Sequence, residues 1–217
     1  LESPVRRLAV LTLCLLLVSP SAFTAPDPYR YLASVAVLQR EGNNTCTVTA
    51  IHAQKDFFLT AAHCVTPGWP SEEEQDANLN LTVDGLPASV LAVDVLGDMA
   101  ILHVPGSRRP ALKLAQKRVL YLDDVYVAGH PFGWDKPTVF KGWVASPSLQ
   151  FTDEAPFNKL YMIVQLAGAP GNSGSSVINE RREVVGIVQI SWGRSFEPVM
   201  GASPYVDLVR FARSYFG

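Results

Sequence analysis

From residue 31 onward the chain runs in short apolar stretches separated by glycine, proline, asparagine and aspartate. Where apolar and polar residues alternate, every second side chain falls on one face of a strand, and β-branched and aromatic residues favour that pleated state. Tyr31 to Leu38 predicts a first strand, with a turn at Glu41-Gly42-Asn43-Asn44. Thr45 to Ala53 alternates through Cys46, Val48 and Ala50, and Phe57 to Thr60 follows a polar turn at Gln54-Lys55-Asp56. Together they predict a hairpin that ends in Ala61-Ala62-His63-Cys64. Further strands are predicted at Leu79 to Val83, at Ala88 to Leu96 and at Met99 to Val104, the last apolar enough to be buried on both faces. Pro105 to Pro110 punctuates the chain, and the style resumes near 125–128, 138–145, 160–166, 175–179 and 183–191. So many short strands with glycine and proline turns predict an all-β barrel or sandwich. Only the tail reads as helix: Ser203 can cap it, Pro204 suits its first turn, and Val206, Val209, Phe211, Ala212 and Tyr215 form the apolar stripe expected to face the barrel.

The first 25 residues differ in kind. Arg6-Arg7 precedes an apolar run, Leu8 to Val18, followed by Ser19 to Ala25, a stretch rich in small residues. This is the layout of a secretory signal peptide, and eleven helical residues fall well short of the roughly 30 Å hydrocarbon core of a bilayer. Residues 1–25 are therefore expected to be removed, leaving 26–217 as an exported domain, periplasmic or secreted, without stable membrane association. Loss of Glu2, Arg6 and Arg7 shifts the formal charge from −2 to −3. That charge carries no basic excess, and Arg108-Arg109 and Arg181-Arg182 read as solvated turns, so nucleic acid is not an expected partner. Glu72-Glu73-Glu74 lies in a long polar stretch that reads as a surface loop.

Export makes the cysteine count informative. Cys14 leaves with the leader, and Cys46 and Cys64 remain as a bridge or as a free buried pair. The four histidines, at 52, 63, 103 and 130, form no paired ligand motif, so neither a metal nor another cofactor is expected.

Three positions carry candidate chemistry. A serine hydroxyl becomes a useful nucleophile when an imidazole takes its proton and a carboxylate holds that imidazole. Ser173 sits in Gly171-Asn172-Ser173-Gly174, His63 ends an apolar strand, and Asp98 opens Asp98-Met99-Ala100-Ile101-Leu102, where a buried carboxylate needs a partner. Asp94 lacks the apolar run that follows Asp98 and reads as a surface residue. The order His, Asp, Ser also excludes an α/β-hydrolase, which runs Ser, Asp, His and needs Gly-x-Ser-x-Gly, whereas Ser175 occupies the place of the second glycine.

Thr60-Ala61-Ala62-His63-Cys64 resembles the sequence around the catalytic histidine of chymotrypsin-like serine proteases, and Asp98 to Leu102 resembles the Asp-Ile-Ala-Leu pattern at that family's orienting aspartate. Val127-Ala128-Gly129-His130-Pro131-Phe132-Gly133 is similar to the Gly-Asn-Pro-Phe-Gly loop of the HtrA (DegP-like) branch, and Pro170-Gly171-Asn172-Ser173-Gly174 to its nucleophile loop. Ile190-Ser191-Trp192-Gly193 resembles the substrate-binding strand of chymotrypsin itself.

The resemblance implies two six-stranded antiparallel β-barrels, at about 30–110 and 118–203, and a C-terminal helix at about 204–216; the PDZ domain common in that branch is not expected here. It implies a serine endopeptidase acting on polypeptides through His63, Asp98 and Ser173, with the N–H groups of Gly171 and Ser173 as the oxyanion hole. It also implies a Cys46–Cys64 disulfide. Ala167, Ser191, Trp192 and Gly193 would bind substrate, with Ser191 supporting Asp98 and the Gly193 backbone pairing with the peptide. No acidic residue lies where a trypsin-like pocket would hold Lys or Arg, so an apolar residue is expected before the scissile bond. Asn172 stands where pancreatic-type enzymes carry the aspartate that pairs with a newly cut N-terminus, so activation by such a cut is not expected. The alternative is an inactive peptide-binding protein on the same fold.

Overall fold

The computed structural model describes residues 29–52, 56–66, 79–150, 159–191 and 197–216. The leader, the loop with Glu72 to Glu74, Trp192 and Gly193 lie outside the described residues. Seven strands form the first sheet: β1 (Val35–Arg40), β2 (Asn43–His52), β3 (Phe57–Thr60), β4 (Leu81–Val83), β5 (Leu86–Pro87), β6 (Ser89–Asp94) and β7 (Met99–His103), in the order β5-β4-β1-β2-β3-β7-β6. Only Ala88 separates β5, which pairs with β4, from β6, which pairs with β7. One stretch of chain thus borders both edges of the curled sheet, and the ladder is interrupted beside Pro87, which has no N–H to donate.

The second sheet holds β8 (Lys113–Leu114), β9 (Asp124–Gly129), β10 (Thr138–Gln150), β11 (Leu160–Gly168), β12 (Ser176–Asn179), β13 (Glu183–Ser191) and β14 (Glu197–Ala202). Its order is β12-β9-β10-β11-β14-β13-β8, and the additional β12–β13 pairing closes six of these strands into a barrel. The two-residue β8 pairs in parallel with β13 outside that ring.

Alternation along the strands feeds several cores at once. Phe58 and Leu102 belong to the core of the first sheet with Leu38, Val48, Cys46 and Cys64. Their neighbours Leu59 and Ile101 point the other way, into a seam with Ala128, Ile178, Val184 and Ile187 of the second sheet. This double duty is why β7 is buried on both faces, as its unbroken apolar run predicts. The second barrel is filled by Val127, Val144, Val164, Val177 and Val188.

Three local expectations change. The start of the first predicted strand is a helical turn, α1 (Tyr29–Leu32), closed by Ser34 N–H on the Tyr31 carbonyl, and the strand begins at Val35. The tail forms α2 (Tyr205–Phe216), but Ser203 does not cap it: its hydroxyl accepts the Ile187 N–H at 2.9 Å and is fully buried in the sheet. The helix buries Leu208 and Ala212 and packs Phe211 and Phe216 on the seam, whereas Val206 is exposed. Among the described residues no helix is long and apolar enough to cross a membrane.

Arg109 is not a solvated turn residue. Its guanidinium pairs with both oxygens of Asp84, at 2.5 and 2.7 Å, and donates to the carbonyls of Ala33 and Val35. One planar cation therefore ties the entry into β1 and its first residue to the turn after β4. Replacing it by lysine keeps the charge but loses the fork that matches a carboxylate. Arg109→Lys is expected to lower the unfolding free energy by about 1–2 kcal/mol in urea titration.

Candidate active site

β3 ends at Thr60, and the chain turns through a short 3-10 segment, Ala62–Cys64, that presents His63. Cys64 is joined to Cys46 on β2 with a Cα separation of 6.1 Å, so the covalent bond fixes the residue next to His63. The two sulfur atoms and a His63 ring nitrogen lie within 4.8 Å of one another, but sulfurs joined in a disulfide do not serve as thiolate metal ligands.

Asp98 comes from a tight turn between β6 and β7 and has a left-handed backbone, φ 50°, which aspartate tolerates better than most residues. Its carboxylate is 98% buried and accepts three hydrogen-bond contacts from His63. The backbone N–H donates to Oδ1 at 2.9 Å, and Nδ1 lies 2.9 Å from Oδ2 and 3.1 Å from Oδ1. A carboxylate at Nδ1 selects the tautomer with the proton there, which leaves Nε2 as the basic nitrogen. Asp94 serves the backbone instead, since its Oδ1 accepts the Gly97 N–H at 2.7 Å and shapes the turn that delivers Asp98.

The Asp98 backbone is held by the side chain of Gln189. Its Nε2 donates to the carbonyls of Gly97 and Asp98 at 2.5 and 3.0 Å. A register irregularity between Val188 and Ile190 accompanies this placement, and Ser191 lies half-buried at the end of β13, paired with Met200. Nothing in the Ser191-Trp192-Gly193 string marks Gln189, whose role depends on carbonyls from another sheet.

Burial, and then the nearby Asp98 charge, push the Tyr161 phenol up to about 12, so it remains a neutral hydroxyl. Burial also pushes the Lys159 ammonium down, while the charges of Asp98, Asp94 and Asp207 oppose the shift.

Ser173 sits on a turn that is bonded on both sides. Asn172 N–H donates to Ala169, Gly174 N–H to Val188, and Ser175 N–H to Asn172. Gly171 and Gly174 have φ of +93° and +81°. A Cβ on Gly174 would stand 2.2 Å from the Thr60 hydroxyl and 3.1 Å from the Ala61 nitrogen, so glycine lets the serine turn lie directly against the strand end that leads to His63.

The joint itself is Thr47, fully buried on β2. Its N–H donates to the Ser173 carbonyl at 2.9 Å, its hydroxyl donates to the Gly171 carbonyl at 3.0 Å and accepts the His130 N–H at 2.9 Å, and its carbonyl accepts the Thr60 hydroxyl at 2.9 Å. Nothing in the motif pattern marks this threonine.

Phe132 N–H donates to the Pro170 carbonyl at 2.5 Å. In a planar trans peptide the following N–H points the opposite way, so that of Gly171 is turned from residues 130–134. Among the described residues neither the Gly171 nor the Ser173 N–H has a backbone acceptor. Ala167 is half-buried on β11 and Ser191 ends β13, with β14 between these two strands.

Two β-barrel-like sheets with a His–Asp pair and a glycine-flanked serine turn define the class of chymotrypsin-fold proteins. The chain belongs to the trypsin-like peptidase domain family, which it matches over residues 44–187, a span that includes His63, Asp98 and Ser173. It is 34% identical over 113 residues to "Probable periplasmic serine endoprotease DegP-like" of Pseudomonas fluorescens, covering 51% of this chain and 23% of that protein. It is 28% identical over 135 residues to "Putative serine protease HhoB" of Synechocystis, covering 59% of this chain and 30% of that protein. The chain thus matches less than a third of the length of these curated relatives. Among solved structures it resembles the active form of the Rv3671c protease from Mycobacterium tuberculosis, with a TM-score of 0.70 and 19% identity, covering 91% of this chain and 87% of that one. The Yersinia pestis serine endoprotease gives a TM-score of 0.62 at 19% identity, covering 86% and 64%.

Thr47→Val keeps the shape of the side chain and removes the hydroxyl, leaving the His130 N–H and the Gly171 carbonyl without that partner. The expected cost is about 1–3 kcal/mol in denaturant unfolding, whereas Thr47→Ser is expected to stay close to wild type.

Proposed function

We propose that this chain is an exported serine endopeptidase. The observation that carries the reading is the buried Asp98 carboxylate on His63 Nδ1, with Ser173 on a turn hydrogen-bonded to the strand that neighbours β3. In this mechanism Ser173 Oγ attacks the peptide carbonyl carbon, a C–O bond forms, and the hydroxyl proton passes to His63 Nε2. Asp98 stabilises the imidazolium so formed. The N–H groups of Gly171 and Ser173 receive the oxyanion, and the C–N bond breaks as His63 returns the proton to the amine. Water then repeats the sequence on the acyl-enzyme and releases the acid.

The substrates are polypeptides, with an apolar residue before the scissile bond. The stretch Leu166-Ala167-Gly168-Ala169, ahead of the nucleophile turn, carries no acidic side chain to attract Lys or Arg. Export is supported by the leader-like composition of residues 1–25 and by the periplasmic designation of the DegP-like relatives.

Ser173→Ala is expected to lower casein cleavage by about a thousandfold or more. A fluorophosphonate is expected to label the wild type and not the variant. Equal cleavage by both proteins would remove Ser173 as nucleophile. A folded wild type that binds casein but takes no label would be a peptide-binding protein instead.

A further inference from the structure

His130 is buried to 97%, yet the triad chemistry does not use it. Its Nδ1 lies 2.7 Å from the Trp134 carbonyl, an acceptor, so Nδ1 must carry a proton. Its Nε2 is buried and has no hydrogen-bond partner among the described residues. This imidazole therefore clips both ends of the turn from 130 to 134, which is further closed by Gly133 N–H on the His130 carbonyl. Phe132 lies inside the clip, in the left-handed region at φ 55°, and its N–H holds the Pro170 carbonyl. The fit against the nucleophile loop is close: a Cβ on Gly171 would stand 2.5 Å from the His130 carbonyl oxygen and 2.9 Å from the nitrogens of Phe132 and Gly133.

We propose that neutral His130 is a positioning residue for the oxyanion site, clipping the 130–134 turn so that Phe132 N–H holds the Pro170 carbonyl and thereby aims the Gly171 N–H. The inference rests on the peptidase reading for its effect on catalysis, but the clip itself can be measured independently. Protonation would place a charge and an unmatched N–H donor at Nε2 in a buried site. Burial lowers the affinity of His130 for that proton; the Trp134 bond opposes the shift, Arg109 reinforces it, and Asp84 and Asp135 oppose it. Arg109 and Asp84 are already paired with each other, and the remaining partners facing the turn, Thr47, Asn44 and Gly171, are uncharged. The sign follows from linkage: the unfolded chain takes up the proton first, so the clip's contribution is complete above about pH 6.5 and weakens as pH falls below it.

The test compares wild type, His130→Ala and His130→Asn on a leucyl peptide p-nitroanilide and on the matching peptidyl aldehyde, which forms a tetrahedral adduct. His130→Ala is expected to lower kcat about tenfold or more, with KM changed less than about twofold and aldehyde affinity falling in parallel, because one oxyanion donor is typically worth a hundredfold or more. Asparagine can donate to the Trp134 carbonyl, so His130→Asn is expected to restore most of the loss at pH 8 and to show a shallower acid limb than wild type. Unchanged kcat and aldehyde affinity in a folded His130→Ala, or identical acid limbs in wild type and His130→Asn, would overturn the proposal. If His130→Ala does not fold, the acid limbs decide. If the wild type takes no fluorophosphonate, the peptidase reading fails and the clip is read by NMR alone. There the His130 ring proton signal, assigned by its loss in His130→Asn, must titrate below the range of an exposed histidine, and a midpoint at or above that range would refute the clip.

Discussion

A single buried charge sets the terms for this molecule. The Asp98 carboxylate is 98% removed from solvent, in a setting where an unpaired ion would be lost to protonation or would unfold its surroundings. Its compensation comes from one residue twice over, through the backbone N–H and the ring Nδ1 of His63. The backbone that carries it is held in turn by the Gln189 amide on one side and the Asp94 turn on the other. The imidazole is thus oriented as a by-product of keeping an ion in the protein interior.

That constraint explains what is legible in the sequence. Thr60 to Cys64, Asp98 to Leu102 and Gly171 to Gly174 are local strings whose chemistry is visible in residue type and spacing. The fold brings the first two into contact through His63 and Asp98 and lays the third against Thr47 and Thr60. The strands from Phe57 to Thr60 and from Glu183 to Ser191 are legible for the same reason, since period-two alternation and apolar runs are one-dimensional signals. The edges are less so. β8 is two residues long and exists only because it lies beside β13, and β14 has a glycine and a proline where strand composition is weakest.

The residues that escape a reading of the sequence act across the fold. Thr47, Gln189 and Arg109 belong to ordinary types, and each owes its role to carbonyls that only folding brings near. Ser203 meets the same limit: as a string, serine before proline is a helix cap, but the Ile187 N–H from another strand claims its hydroxyl. His130 lies in a recognisable motif, and only its burial and its one-sided hydrogen bonding set it apart from a surface histidine.

The bonds at Thr47 also fix an order of events. Its hydroxyl joins Gly171, 124 positions away, and His130, 83 positions away. Contacts of such sequence separation close late, because the chain between them must first lose its freedom. The nucleophile turn therefore acquires its bonded shape only after β2 has docked against the second barrel. Under the proposed peptidase function, a chain with one half still unfolded would carry every residue of the site and yet be harmless to its neighbours and to itself.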